Sequence, residues 1–188
     1  MTRLVVDGRE RADPWEHLAD GDAPSGGDFT VSIARWFRER RDLLAQVERK
    51  DPALGVRLAI DSDPARLADD IERFALIVIE IPDSADGRFF SIAARVREHL
   101  RYRGELRVTG DVAPDQLSFM QRCGITAFEL RDDVDVERFV RRYERFYQSS
   151  GPMTTRDNLI GVARRRRAAC PERPLREDQA SEVEAATG

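Results

Sequence analysis

The chain is predicted to be an α/β protein, alternating β-α units around a small, mostly parallel sheet, and three observations carry that prediction. Four short stretches rich in β-branched and apolar residues recur along the middle of the chain: Val56–Ile60, Ala75–Ile81, Leu106–Val108 and Ile125–Leu130. The segments between them place apolar residues at helical spacing. Each stretch also contains a carboxylate or is followed by one within three residues: Asp61, Glu80, Asp111 and Glu129. Strands that alternate with helices imply parallel pairing and right-handed crossovers. Four or five strands are too few to close an eight-stranded barrel, so the reading is a half-barrel or a small three-layer sandwich.

Taken in order, residues 1 to 29 read as an N-terminal extension. It holds a short apolar run, Leu4-Val5-Val6, followed by polar, Gly- and Asp-rich loop that Trp15 and Leu18 are suited to pin. A helix is expected from about Thr30 to Glu48, with Ile33, Phe37, Leu44 and Val47 near one face and Thr30 or Ser32 as its cap. Val56 to Asp61 is the first strand. Asp63-Pro64 then opens a helix, with Asp as cap and Pro at the first helical position, where its missing N–H costs nothing. Ala75 to Ile81 is apolar except for Glu80, the pattern of a strand covered on both faces. Pro82 stops it.

The next helix runs from about Arg88 to Arg101, and Gly104 ends that segment as a helix-terminating glycine. Glu105 to Thr109 is a strand in which Leu106 and Val108 alternate with Arg107. Pro114 starts a helix that Gly124 closes, Ile125 to Leu130 is a short strand, and Val134 to Gln148 is the last helix of a domain spanning 30–149. From 150 to 188 the chain is polar and low in large apolar residues, a tail expected to be mobile.

Composition narrows the function classes. Charged residues make up 35% and hydrophobic ones 41%, and 35 acids against 31 bases leave a net charge of -4. That balance argues against nucleic acid as a partner. No run approaches a membrane span and no leader-type apolar region opens the chain, so a cytoplasmic protein with no membrane partner is expected. Two cysteines and two histidines without ligand spacing predict no structural zinc or iron–sulfur centre. No dinucleotide fingerprint or nucleotide phosphate loop is present, so no cofactor is assigned.

The candidate site rests on the acids. In parallel sheets the carboxyl ends of the strands form the edge where ligands bind. Asp111 and Glu80 are the candidate catalytic carboxylates, with Asp61 and Glu129 beside them as candidate ligand-binding groups, because clustered carboxylates perform acid–base work or hold a divalent cation. Arg88 at a helix start and Arg107 on a strand are candidates for holding an oxyanion, since forked guanidinium groups match phosphate or sulfate. The competing reading is turn-capping for the acids and surface pairing for the arginines. Cys123 reads as a small core residue, His99 as a surface one, and the run Arg164–Arg167 as a solvated tail.

Particular stretches also resemble a known family. They are Val31-Ser32-Ile33-Ala34-Arg35-Trp36, Gly55-Val56-Arg57-Leu58, and Asp86-Gly87-Arg88-Phe89-Phe90-Ser91 through Ala94-Arg95-Val96-Arg97. Further on are Tyr102-Arg103-Gly104-Glu105-Leu106-Arg107, Gly110-Asp111-Val112, Asp115-Gln116-Leu117, Arg122-Cys123-Gly124 and Ala127-Phe128-Glu129-Leu130. In this combination, over about residues 29 to 149, the chain resembles the domain-of-unknown-function 934 family of bacterial proteins. The resemblance implies a link to assimilatory sulfite reduction, since members are typically encoded beside the sulfite/nitrite reductase haemoprotein. It therefore implies that haemoprotein, or a related sulfur-assimilation enzyme, as a partner. It carries over no catalytic residues. A homodimer pairing two sheet edges is a further possibility that the residues leave open.

Overall fold

The computed structural model describes residues 3–6 and 8–149. It is an α/β fold whose sheet has eight strands: β1 (Arg3–Val6), β2 (Arg9–Arg11), β3 (Glu16–His17), β4 (Phe29–Ser32), β5 (Leu54–Leu58), β6 (Leu76–Ile81), β7 (Glu105–Gly110) and β8 (Ala127–Leu130). Their spatial order is β2-β1-β8-β7-β6-β5-β4-β3. β3 to β8 pair in parallel in chain order, while β1 pairs antiparallel with both β8 and β2.

Parallel strands laid down in chain order by right-handed crossovers put every connection on the same side. This selects the half-barrel over the sandwich. The covering elements are α1 (Ile33–Lys50), a 3-10 stretch over Pro64–Arg73, α2 (Arg88–Ala94) with a π turn over Arg95–His99, α3 (Leu117–Arg122) and α4 (Val136–Ser149). Val31, Val56, Ile77, Ile79, Val108 and Phe128 meet Trp36, Leu43, Phe89, Val96, Met120 and Phe139 in one core. Phe128 packs edge-on against Phe139 at 5.4 Å, and Trp36 against Phe74 at 5.0 Å.

The sheet is strongly curled, and the chain itself shows this. β2 and β3 are the two ends of the strand order. At about 4.8 Å per strand they would stand about 34 Å apart in a flat sheet. Only residues 12–15 join them, and an extended chain from Arg11 to Glu16 reaches no more than about 18 Å. The two edges must therefore be rolled toward each other, with this short strap crossing between them.

Three sequence expectations need correction. The first 28 residues, read as extension and loop, supply β1, β2 and β3, while Leu18, expected to pin this segment, is buried in the core as read. Strands of two to four residues are too short to display a period of two. Thr30, read as a helix start, lies in β4, and Ser32 alone caps α1 by accepting from the Arg35 amide. Gly104 does not terminate a helix, because the left-handed residue after the π turn is Arg101. Gly104 is needed because any Cβ there would strike the Tyr102 ring. The run Arg164–Arg167, Cys170 and the tail lie outside the described residues.

Candidate functional site

On four consecutive strands a charged residue sits between two apolar ones: Arg57 between Val56 and Leu58, Glu80 between Ile79 and Ile81, Arg107 between Leu106 and Val108, Glu129 between Phe128 and Leu130. Successive strand residues point to opposite faces. The apolar partners fill the core under the helices, so these four face the concave side of the curl. The register sets Arg57 beside Val78, Val78 beside Arg107, and Thr109 between Glu80 and Glu129.

The strap and β3 complete this face. Arg107 donates through Nε and Nη2 to Glu105 Oε1, at 3.1 and 2.8 Å. Its Nη1 reaches Glu129 Oε1 and Asp13 Oδ2, each at 2.7 Å. His17 Nε2 lies 3.1 Å from the same Glu129 Oε1, and His17 Nδ1 lies 2.7 Å from Thr30 Oγ1. Arg57 donates to Thr30 Oγ1 at 3.1 Å, to the Leu18 carbonyl at 2.8 Å and to Glu80 Oε1 at 3.1 Å. One hydrogen-bonded chain thus runs from Glu80 through Arg57, Thr30, His17, Glu129 and Arg107 to Glu105 and Asp13. Asp13 belongs to the strap, and its carboxylate is what ties the strap to β7.

An ionised carboxylate only accepts, so His17 Nε2 donates to Glu129 Oε1. His17 Nδ1 shares a hydrogen bond with the Thr30 hydroxyl, whose oxygen also accepts from Arg57. Burial is uneven: Arg107 and Glu129 are 1% and 2% exposed, Asp13 and His17 20% and 30%. Burial alone works against the Arg107 charge, and Glu105, Glu129 and Asp13 outweigh it, raising its pKa. Burial likewise pushes the Glu129 carboxyl up, but the His17 and Arg107 donors more than reverse this, and it ends below the usual carboxylate range.

Of the residues singled out from sequence, the fold brings Arg107 and Glu129 into direct contact and links Glu80 to them through Arg57, Thr30 and His17. Asp111 and Asp61 sit elsewhere, in the loops after the strands, and Arg88 opens α2. Asp111 follows β7 and accepts from the Ser84 amide at 3.0 Å; Ser84, through its side chain and its amide, holds it below the usual range. Arg88 forks onto Asp86 at 2.6 to 3.0 Å on the exposed start of α2. Asp61 is exposed three residues beyond β5. Cys123 is half-buried against the core, which pushes its thiol up.

Sequence reasoning missed Asp13, His17, Thr30, Arg57 and Glu105. No spacing could have found the first two, which meet Glu129 across more than a hundred residues. The other three carried a signal in strand alternation. Arg57, for one, repeats the pattern of Glu80, Arg107 and Glu129.

Among the described residues no helix is long and apolar enough to cross a membrane. The family model for a bacterial protein of unknown function (DUF934) matches residues 55–156, from within β5 to beyond α4. No curated protein and no solved structure gives a significant match.

Proposed function

Because the chain belongs to the DUF934 family, we propose that it is an accessory protein of assimilatory sulfite reduction, acting in the cytoplasm with the sulfite/nitrite reductase haemoprotein. The family match over residues 55–156 supports this reading, on the expectation, drawn from the resemblance, that members are typically encoded beside that haemoprotein.

A second reading is favoured by a separate observation. Arg107 and Glu129, both candidate ligand-binding residues, lie together on the concave face with Arg57 and the candidate catalytic Glu80, while Asp111 marks the carboxyl edge nearby in sequence. A small α/β enzyme, or a binder of an oxyanion or a metal, would use such groups.

Deletion of the gene, followed by growth on sulfate, sulfite or cysteine as sole sulfur source, tests the first reading. A defect on sulfate and sulfite that cysteine rescues is expected, together with co-purification of the haemoprotein with the tagged protein. Equal growth on all three would overturn it. Complementation by Asp111→Asn then separates the readings: an accessory scaffold tolerates the change, a working edge carboxylate does not.

A further inference from the structure

We propose that the half-open cavity between the last turn of α1 and the loop before β4, lined by Gln46 and Arg49, binds a small organic acid that carries an N–H group and is about the size of a single ring. The cavity has a volume of about 160 Å3. An engineered protein cavity of about 150 Å3 takes up benzene, whereas a single water needs only about 10–15 Å3. The space is therefore of ligand size, well beyond what one bridging water would fill.

Most of the lining gives no hydrogen bonds. Phe29, the first residue of β4, is fully buried and forms part of it. Pro24 and Pro52 lie beside it, and proline has no backbone N–H to offer. Neighbouring backbone donors are already committed, the Phe29 N–H to the Ala53 carbonyl at 3.1 Å and the Ala53 N–H to Asp28 Oδ1 at 2.8 Å. Against this lining stands Gln46, whose Oε1 is buried without a hydrogen-bond partner among the described residues. A buried acceptor is ordinarily paired. Turning the amide over does not help, because it sets an unpaired NH2 in the same place. Gln46 as a residue is only part-buried, so its side chain is able to turn this oxygen onto a group in the cavity. What the oxygen lacks is a donor, and the surrounding residues do not supply one.

Charge fixes which way round the ligand sits. Arg49 lies three residues further along, on the same side of α1. It is exposed, forms no ion pair among the described residues, and carries the charge of the lining. Its forked guanidinium matches a carboxylate. The last turn of a helix carries partial negative charge, which favours donors and disfavours anions. The N–H end of the ligand therefore points inward to Gln46, and its carboxylate stays at the rim on Arg49.

Phe29 opens β4 and Pro52 precedes β5, so the cavity lies at the amino ends of these strands, away from the edge that carries Asp111. All of its lining residues precede residue 55, where the family match begins. The inference stands apart from the sulfite-reduction reading, and either can fail without the other.

The test is titration of the full-length protein with pyrrole-2-carboxylate and with furan-2-carboxylate, which has a ring oxygen in place of the N–H. One saturable site is expected for the pyrrole acid, with a Kd of about 1 mM or below. The furan acid should bind about tenfold more weakly, because it leaves the Gln46 oxygen unpaired. Arg49→Gln should weaken both acids by a similar factor. Ala23→Trp, at an exposed lining residue, should block both while the protein still melts as a folded one. Gln46→Met should erase the preference between the acids and melt no lower than wild type, since a side chain of similar length replaces an unpaired amide. No saturable binding of the pyrrole acid, or equal affinity for the two acids, would overturn the proposal. So would a preference that survives Gln46→Met, or a clear fall in Tm for that variant, which would make the amide structural.

Discussion

The two faces of this sheet are built from the same strands, alternating residue by residue, yet they are held together by opposite physics. On the convex side Val56, Ile77, Ile79, Val108 and Phe128 pack under the helices, and their stability is apolar area removed from water. On the concave side Arg57, Glu80, Arg107 and Glu129 are joined in a hydrogen-bonded chain with His17 and Thr30. The first arrangement tolerates any residue of suitable size and polarity. The second is costly to break at its buried end, Arg107 and Glu129, because a buried charge without its partner is left behind. A fold can be stabilised by the convex face alone. The concave face therefore marks where this protein departs from what folding requires, and that is the reason to look there for function.

The largest expected effect comes from breaking each face once. Arg107→Met removes the guanidinium that joins three carboxylates and should cost about 3–5 kcal/mol in a urea melt. Phe128→Ala, on the neighbouring strand but the other face, should cost about the same, through a cavity beside Phe139. The two separate in the double variant. Adding Glu129→Gln to Arg107→Met should recover more than 1 kcal/mol, since much of the loss is the stranded charge. Adding Glu129→Gln to Phe128→Ala should deepen the loss. If both pairs behave alike, the contrast between the faces is wrong.

A smaller effect grades the polar chain along its length. Arg57 is 14% exposed and its partner Glu80 is 44% exposed. Arg57→Met should cost about 1–3 kcal/mol, chiefly by leaving Thr30 and the Leu18 carbonyl short of a donor. Glu80→Gln should cost under about 1 kcal/mol, as expected for a half-exposed ion pair. Equal losses at Arg57 and Arg107 would show that the chain acts as one unit rather than as a buried end and a wet end.

The convex face was readable from sequence and the concave one only in part, for a physical reason. Near-continuous apolar runs such as Leu76–Ile81 and helical stripes such as Phe89, Ile92 and Val96 announce a core locally. Arg107 and Glu129 could be picked out as polar residues on strands, but their meeting depends on register. The contacts of His17 and Asp13 depend on how far the sheet curls, which no local pattern encodes. The strands that cause the curl, β1 to β3, are two to four residues long and gave almost no signal.

The smallest effect sets the carboxyl edge against the concave face. Asp111 lies at the end of β7, with Arg131 and Asp133 as its charged neighbours, and Ser84 depresses its pKa. A free aspartate titrates near 3.9, and in the folded protein Asp111 titrates lower. Its contribution is therefore fully present above about pH 4 and is lost as pH falls through the lower folded value. Because the group is only part-buried, solvent screening keeps that contribution to no more than a few tenths of a kcal/mol. Asp111→Asn should leave stability at pH 7 within about 0.5 kcal/mol of wild type and slightly flatten the loss between about pH 4 and 2, read by urea melts across that range. A loss at pH 7 as large as that of Arg107→Met would mean that Asp111 is structural. A loss of complementation at unchanged stability would instead make the edge, and not the concave face, the working part of the molecule.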